Sequence, residues 1–268
     1  MRTFKTLYPP ELKAVVKKIT VITDDNPFAV LNSIPYFADG LPGIYFQESG
    51  HDIILNRNER KLSRLFLYGQ TVKPITISTI GTFKAIIVHF FPPALKSLYG
   101  IDAHELTDTC MDYSLLPGAE AADLKDRLLE ETNTSIQISI LVNAVRRLLH
   151  TIRPATNGEL YYATNRISRS GGAISLPSLQ KELKISERTF QRRFLQHVGI
   201  TPRLYMRICK FYAVLNVLES HSFHKLTDLA YDHGFSDQSH FNRTFKEFTG
   251  YTPVEYLVHF TEVELENK

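Results

Sequence analysis

The sequence predicts a two-domain protein, with a β-rich N-terminal domain and an all-helical C-terminal domain. Up to about residue 115, short β-branched and aromatic runs alternate with turn residues such as Asp39-Gly40 and Ser49-Gly50, which is typical of strands joined by tight turns. Beyond that point apolar residues recur at every third or fourth position, which indicates helices. An internal repeat near the C-terminus then predicts how the helical domain is organised.

The composition is that of an ordinary globular protein and excludes several classes. The 268 residues are 43% hydrophobic and 22% charged, with a net charge of +3 and two cysteines, Cys110 and Cys209. Two distant cysteines supply neither a disulfide framework nor a cysteine-rich zinc site, and they favour a reducing cytoplasm. The N-terminus lacks the apolar core of a signal peptide, and no apolar run approaches the roughly 18 residues of a membrane span. We therefore expect a cytoplasmic protein with no membrane association.

In the N-terminal domain, strands are expected at five apolar runs. They are residues 44–46, 53–55, 65–68, 75–80 and 85–91. Pro92 and Pro93 end the last strand, and residues 93–100 predict a short helix that stops at Gly100.

Two longer helices are expected next. Leucines within residues 124–129 share one face of the first, and an apolar stripe over residues 138–149 marks the second, which begins at Asn133 or Thr134. Such stripes must be buried against something. Packing of these helices on the β-rich domain and a dimer interface formed by them explain the apolar stripes equally well.

The C-terminal third contains the repeat. LPSLQKELKISERTFQRRFLQHVGITP (176–202) matches LTDLAYDHGFSDQSHFNRTFKEFTGYTP (226–253), with an offset of 50 residues that becomes 51 after one inserted residue. Each copy has the pattern of a helix-turn-helix, in which a short apolar-faced helix and a turn precede a second helix with inward-facing phenylalanines.

The second helix of each copy has boundary residues at both ends. Ser186 is suited to cap the first of these helices, and Ser236 or Asp237 the second. Gly199 and Gly250 are suited to end them, because glycine readily adopts the left-handed conformation that follows a helix.

The outward faces of these two helices carry residue types that bind DNA. Arg pairs with guanine, Gln and Asn pair with adenine, and Lys and Arg neutralise phosphates. A solvated polar face is the alternative, but both copies place an arginine, Arg192 or Arg243, two residues before a core phenylalanine. Residues 157–260 also carry thirteen Lys and Arg against nine Asp and Glu, compared with seventeen against sixteen in residues 1–156.

These residues closely resemble the DNA-binding domain of AraC/XylS-type transcription regulators. GFSDQSHFNRTFKEFTGYTP (234–253) is nearly the family's signature, and ISERTFQRRFLQHVGITP (185–202) also matches. The resemblance implies a seven-helix unit in which a long helix, Pro202 to Ser220, joins two helix-turn-helix subdomains. It also implies that both recognition helices enter successive major grooves of double-stranded DNA, roughly 34 Å apart. Transcription activation and contact with RNA polymerase follow from the same resemblance.

The resemblance assigns base contacts to the two recognition helices. In the first they are Arg188, Gln191 and Arg192, and in the second they are Gln238, Ser239, Asn242 and Arg243. Arg193 and Lys246 are expected to bind phosphate or to pack at the edge of the interface. The sequence departs from the family at Lys184, where a glycine is common, so a less sharp first turn is expected.

The N-terminal half resembles the β-rich sensor domains that are fused to such regulators, through ADGLPGIYFQESG (38–50) and VHFFPPALKSLYGIDAHELTD (88–108). This resemblance implies a cupin-like partial barrel that binds a small effector or forms a homodimer. The candidate effector residues, which also fit an ordinary aromatic core, are Tyr36, Tyr45, Phe46, Phe66, Tyr68 and His89.

We therefore expect a sensor or dimerisation domain over 1–156, a DNA-binding domain over 157–260 and an acidic tail over 261–268. The predicted protein is a sequence-specific regulator and not an enzyme, because no nucleophile elbow, phosphate loop or dinucleotide fingerprint is present. Neither a cofactor nor a metal is expected, since the histidines are scattered. The alternatives are a ligand-binding or enzymatic N-terminal module tethered to DNA, and an architectural DNA-binding protein without sequence preference.

Overall fold

The computed structural model describes residues 2–56, 60–117, 119–151 and 158–265. Its N-terminal part folds into two antiparallel sheets. The strands are β1 (Arg2–Leu7), β2 (Val16–Asp24), β3 (Asn32–Tyr36), β4 (Gly43–Ser49), β5 (Ile53–Leu55), β6 (Arg60–Leu62), β7 (Leu65–Tyr68), β8 (Ile75–Thr79), β9 (Phe83–Phe90) and β10 (Cys110–Asp112). The larger sheet has the order β1-β2-β9-β4-β7-β10, and the smaller one has the order β3-β8-β5-β6. All five predicted strands are confirmed, with ends that differ by no more than three residues from the predicted ones.

The central strands β4 and β9 of the larger sheet are buried on both faces, and successive side chains of a strand point to opposite sides. On β4, Tyr45 points to the smaller sheet, and it shares a cluster with Ile34 and Ile77 of that sheet. Its neighbours Ile44 and Phe46 point the other way, into the cluster that the helices cover. The N-terminal domain is therefore a two-sheet, β-rich domain with one additional helical layer.

The helical layer comprises α1 (Ala94–Tyr99), α2 (Ala119–Glu130) and α3 (Thr134–Thr151). Leu128, Leu141 and Val145 are fully buried in the cluster that contains Ile44 and other residues of the larger sheet. Of the two explanations for the apolar stripes, packing on the β-rich domain is the one that the structure shows for these side chains.

The C-terminal part is entirely helical over the described residues 158–265. Its seven helices are α4 (Gly158–Arg169), α5 (Leu176–Leu183), α6 (Glu187–Val198), α7 (Pro202–Glu219), α8 (Leu226–Asp232), α9 (Gln238–Thr249) and α10 (Pro253–Leu265). The long helix α7 buries Ile208, Phe211 and Leu218 in one cluster with the phenylalanines of α6 and α9. The predicted seven-helix unit with a long central helix is confirmed.

The predicted boundary between residues 156 and 157 lies outside the described residues, as do the last three residues of the predicted acidic tail, 266–268. Helix α10 runs to Leu265 and so extends into that tail. Within the described part of the chain, no helix combines the length and the hydropathy that a membrane crossing needs.

Candidate DNA interface

Both sequence repeats fold as helix-turn-helix units. The first consists of α5 and α6, and the second of α8 and α9. The Ser186 side chain caps α6 by accepting a hydrogen bond from the Thr189 backbone N–H (3.3 Å). Between the two candidates for α9, Asp237 is the cap, since its Oδ1 accepts from the His240 N–H at 2.7 Å. The two second helices therefore begin at equivalent positions of the repeat.

The turn of the first unit adopts a conformation that lysine disfavours. Lys184 has φ +53° and ψ +39°, in the left-handed region, and its backbone N–H bonds to carbonyls at the end of α5. The equivalent turn of the second unit has Gly234 at φ +72°. The missing glycine therefore leaves the first turn as sharp as the second, contrary to the expectation, at a strain cost of about 1–2 kcal/mol.

The recognition helices bury their phenylalanine faces completely. In α6, Phe190 and Phe194 are 0% exposed, and in α9 Phe241 and Phe245 are 1% exposed. The residues on the opposite faces are exposed, except that Asn242 is half-buried. They are Arg188, Gln191 and Arg192 on α6, and Gln238, Ser239, Asn242, Arg243 and Lys246 on α9. Both helices thus present their predicted DNA-binding side chains away from the core.

The charges of these side chains are largely available. Among the residues that the structure describes, none forms an ion pair with Arg188, Arg192 or Arg243. Gln191 donates from Nε2 to the Glu187 carboxylate at 2.9 Å, an exposed contact that a base edge can replace.

Arg193 differs from the other predicted DNA contacts. Its guanidinium is half-buried and forms an ion pair with Glu159 at the start of α4, with 2.5 Å between Nη1 and Oε2. This pair joins α4 to α6, so of the two roles expected for Arg193 the structure favours packing at the edge of the interface.

The N-terminal domain packs against both helix-turn-helix units. Next to the first unit, the Thr107 hydroxyl donates to the Gly199 carbonyl at 2.8 Å, where α6 ends. Next to the second unit, the Phe37 ring meets that of Tyr256 on α10 edge-on, with 5.7 Å between centroids. Ala38 is 0% exposed and belongs to the core cluster of the C-terminal domain. The two domains therefore share part of one hydrophobic core.

Four of the six candidate effector residues line one small cavity between the two sheets. Tyr36, Tyr45, Phe66 and Tyr68 surround a space of about 60 Å³, which is enough for a few water molecules. The rings of Tyr45 and Phe66 stack at 4.8 Å. Sequence reasoning missed the polar part of the lining, which includes Asp108, Thr109 and Cys110. These residues lie far along the chain and carry no local signal for a pocket.

The other two candidates do not line this cavity. Phe46 lies on the opposite face of β4, in the cluster covered by the helices, because neighbouring residues of a strand alternate between faces. His89 lies behind Tyr68, whose hydroxyl is 3.3 Å from Nδ1, and its Nε2 is 3.1 Å from the Thr20 hydroxyl. Phe46 is therefore a core residue, and His89 acts at most through Tyr68.

Burial shifts the pKa values of His89 and Asp39. It lowers the pKa of His89 to about 3, with Lys18 and Lys17 adding a smaller repulsion. Burial also raises the pKa of Asp39 to about 6 against the opposing backbone hydrogen bond from Leu41. The His89 imidazole is thus neutral at pH 7, so its 3.7 Å approach to the Asp39 carboxylate is not an ion pair there.

One group of potential metal ligands is found among the described residues. Asp102, His104 and Glu105 place ligand atoms within 4.8 Å of one another. The Lys96 ammonium contacts the Asp102 carboxylate and already neutralises it.

Two families match separate parts of the chain. The family described as "Helix-turn-helix domain" matches residues 179–258, which include both recognition helices. A family described as "Domain of unknown function (DUF6597)" matches residues 7–112, which comprise most of the β-rich domain.

Curated relatives resemble a part of the chain. The HTH-type transcriptional activator RhaS of Escherichia fergusonii is 31% identical over 83 residues, 31% of this chain and 30% of RhaS. RhaS of Salmonella arizonae is 32% identical over 76 residues, 28% of this chain and 27% of that protein. The match thus spans less than a third of the length of these relatives.

Solved structures give a weaker likeness. ToxT from Vibrio cholerae has a TM-score of 0.49 at 13% identity, with coverage of 96% of this chain and 98% of ToxT. The xylose-binding transcription activator XylR has a TM-score of 0.34 at 20% identity, over 40% of this chain and 28% of that one.

The two helix-turn-helix units, their repeat signature and the RhaS match together show that the C-terminal domain is of the AraC/XylS type, carried behind a β-rich N-terminal domain.

Proposed function

We propose that this protein is a sequence-specific DNA-binding transcription regulator that contacts two successive major grooves. The observation that carries the proposal is the pair of equivalent recognition helices, α6 and α9, whose exposed faces hold Arg, Gln and Asn side chains. Those side chains form bidentate hydrogen bonds with guanine and adenine in the major groove. The bases would be contacted by Arg188, Gln191 and Arg192 from one helix, and by Gln238, Ser239, Asn242 and Arg243 from the other.

Helix α7 supports this arrangement. It is a single helix of 18 residues, about 27 Å long at 1.5 Å per residue. That length is comparable to the roughly 34 Å that separate successive major grooves on one side of B-DNA. Since α7 packs into the same cluster as both recognition helices, the two helices are held as one unit. Lys246, exposed near the end of α9, would neutralise a phosphate beside the second groove.

The cavity between the sheets is the proposed effector site. Tyr36 and Thr71 line it, and the residues that follow them, Phe37 with Ala38 and Val72, pack in the C-terminal core cluster. A small molecule that widens the cavity would therefore move segments that contact the DNA-binding domain. It shifts DNA affinity only if it binds one arrangement of these segments more tightly than the other.

Further parts of the proposal rest on similarity. The RhaS relatives are transcriptional activators by name, so we propose activation, through contact with RNA polymerase, as the mode of regulation. A regulator of this kind acts where the DNA is, and we propose a cytoplasmic location.

The test is selection from randomised duplex DNA with the purified full-length chain. We expect a motif with two half-elements, and we expect Arg192→Ala and Arg243→Ala each to relax base choice in a different half-element. The loss of a good bidentate contact is about 1–3 kcal/mol at the base concerned. Lys13→Ala, which removes one exposed positive charge from the N-terminal domain, is the matched control and should leave the motif unchanged.

Two outcomes would contradict the proposal. Enrichment without a motif, weakened evenly by both arginine variants and by salt, would indicate an architectural protein. A motif that neither arginine variant alters would place the base contacts on other elements of the chain.

A further inference from the structure

The loop that joins β7 to β8, over residues 69–74, contacts the second helix-turn-helix unit. Val72 packs against the core cluster of the C-terminal domain. The Pro74 ring lies next to Gly250, where α9 ends, so that a Cβ on that glycine would be 3.8 Å from it. A shift of this loop therefore disturbs the end of one recognition helix.

The loop that precedes β10, over residues 103–109, contacts the first unit. The Thr107 hydroxyl donates to the Gly199 carbonyl at the end of α6. The two loops also lie against each other, since a Cβ at Gly69 would come within 2.2 Å of the Leu106 carbonyl oxygen. The N-terminal domain thus reaches both recognition helices through two loops that are in direct contact.

Asp108 joins the two loops by hydrogen bonds. Its Oδ1 accepts from the backbone N–H of Val72 at 2.7 Å and from that of Lys73 at 3.2 Å. Its own backbone N–H donates to the Gln70 carbonyl at 2.8 Å. Hydrogen bonds to a carboxylate are about twice as strong as those between neutral groups, so a single side chain anchors one loop to the other.

The backbone of Asp108 allows the carboxylate to be tested separately. Its φ is +54°, in the left-handed region, which Asp and Asn tolerate better than most residues with a Cβ. Replacement by glycine therefore keeps the backbone conformation and removes the carboxylate alone. Replacement by asparagine keeps both the conformation and an acceptor oxygen.

Asp108 also lines the cavity between the sheets, as does Thr71, which precedes Val72. It therefore contacts the proposed effector site and both loops. We propose that Asp108 is the positioning residue that links occupancy of this cavity to the two helix-turn-helix units together. An occupant that binds more tightly when Oδ1 has left the two N–H groups frees both loops at once, and so loosens the ends of α6 and α9. This role of Asp108 rests on the cavity being the effector site.

Asn56 provides a matched control. It also lines the cavity, has a left-handed backbone with φ +56°, and accepts a hydrogen bond from the Thr76 N–H through Oδ1 at 3.0 Å. This bond joins the end of β5 to β8 within the smaller sheet, and not one loop to the other. Asn56→Gly therefore makes a similar chemical change beside the same cavity without cutting the bonds between the loops.

The experiment is hydrogen exchange of the full-length chain without DNA, followed by mass spectrometry of its peptides. Asp108→Gly should raise exchange in both loops at least about tenfold, as the loss of a hydrogen bond to a charged group does, and should also raise it at the ends of α6 and α9. Asp108→Asn should raise exchange in the loops less, about threefold, because a neutral acceptor forms a weaker bond. Asn56→Gly should raise exchange only around Thr76.

A filled cavity tests the coupling itself. Leu62 lines the cavity, and Leu62→Phe places additional side-chain volume there as a stand-in for an occupant. In the original background this variant should raise exchange in both loops about threefold. In the Asp108→Gly background it should add nothing there, because the link is already cut. A merely structural Asp108 would instead give additive effects.

The proposal is overturned if Asp108→Gly raises exchange in the loops no more than Asn56→Gly does, or raises it in one loop only. It is also overturned if Leu62→Phe leaves both loops unchanged, or if its effect adds to that of Asp108→Gly. If Asp108→Gly does not fold, Asp108→Asn takes its place, and exchange equal to that of the original protein would contradict the role. Since no DNA is present, these results decide the role of Asp108 separately from DNA selection, whose failure would contradict the proposed function.

Discussion

The two glycines that end the recognition helices offer a matched pair of substitutions for the contact between the domains. Gly199 and Gly250 occupy equivalent positions of the repeat, with φ of +95° and +83°. A Cβ at residue 199 would lie 2.9 Å from the Ala103 carbonyl oxygen and 3.0 Å from the Thr107 hydroxyl. At residue 250 the nearest atom would be a side-chain carbon of Pro74 at 3.8 Å, an ordinary contact.

The expected losses in the free energy of unfolding follow from these distances. An alanine in the left-handed region costs about 1–2 kcal/mol at either position. Gly199→Ala adds a clash with a backbone oxygen, which cannot move without shifting the turn that contains Ala103, and overpacking of this kind costs about 1–3 kcal/mol. We therefore expect Gly199→Ala to lower the free energy of unfolding by about 1–3 kcal/mol more than Gly250→Ala does.

Urea unfolding followed by far-ultraviolet circular dichroism measures both losses under the same conditions. Equal losses in the two variants would refute the close approach of residues 103–107 to the end of α6. A loss confined to Gly250→Ala would refute the placement of the second unit as well.

Three further predictions concern single side chains. Lys184→Gly removes about 1–2 kcal/mol of strain from the left-handed backbone, but the added entropy of the unfolded chain costs about 0.5–1 kcal/mol. The thermal unfolding midpoint of the variant should therefore rise slightly. A lower midpoint would contradict the left-handed conformation of this turn. Since burial lowers the pKa of His89 to about 3, the unfolded chain alone binds this proton as the pH falls below about 6.5. Between pH 7.5 and pH 5 the His89 contribution to the free energy of unfolding should therefore fall by about 2 kcal/mol, so the original protein should lose about 2 kcal/mol more than His89→Gln does; equal pH dependence of both proteins would refute the burial. Arg193→Met should lower stability by up to about 1 kcal/mol through loss of its pair with Glu159, and a changed DNA motif would show that this residue contacts bases.

Local signals in the sequence were sufficient for the helices of the C-terminal domain, although not for the turn at Lys184. The cap Ser186, the two cap candidates Ser236 and Asp237, and the helix ends at Gly199 and Gly250 depend on residues within one turn of each other, so a repeat at fixed spacing reveals them. Strand β9 was predictable for the same reason, because its apolar run is bounded by a proline pair.

Contacts between distant segments were not predictable. Strand β1 (RTFKTL) is mostly exposed along its length, and the two lysines of β2 interrupt its apolar pattern, so neither produced a clear signal. Ala38 is buried in the core of the other domain, and Arg193 pairs with a residue 34 positions away. Phe46 is different, since the alternation along a strand already excludes it from a site that contains Tyr45.

The central claim is that α6 and α9, held together by α7, contact two half-elements at the same time. It is tested most directly by inserting five base pairs between the half-elements of the selected DNA and measuring the affinity of the full-length chain at fixed salt. Five base pairs are about half a helical turn, and therefore move one half-element to the opposite side of the duplex. We predict that the affinity falls to that of DNA with a single half-element, and that an insertion of ten base pairs does not restore it, because the second half-element then lies one further turn, about 34 Å, along the duplex. Full affinity for the five-base-pair insertion would contradict the claim, because two rigidly joined helices cannot follow that rotation.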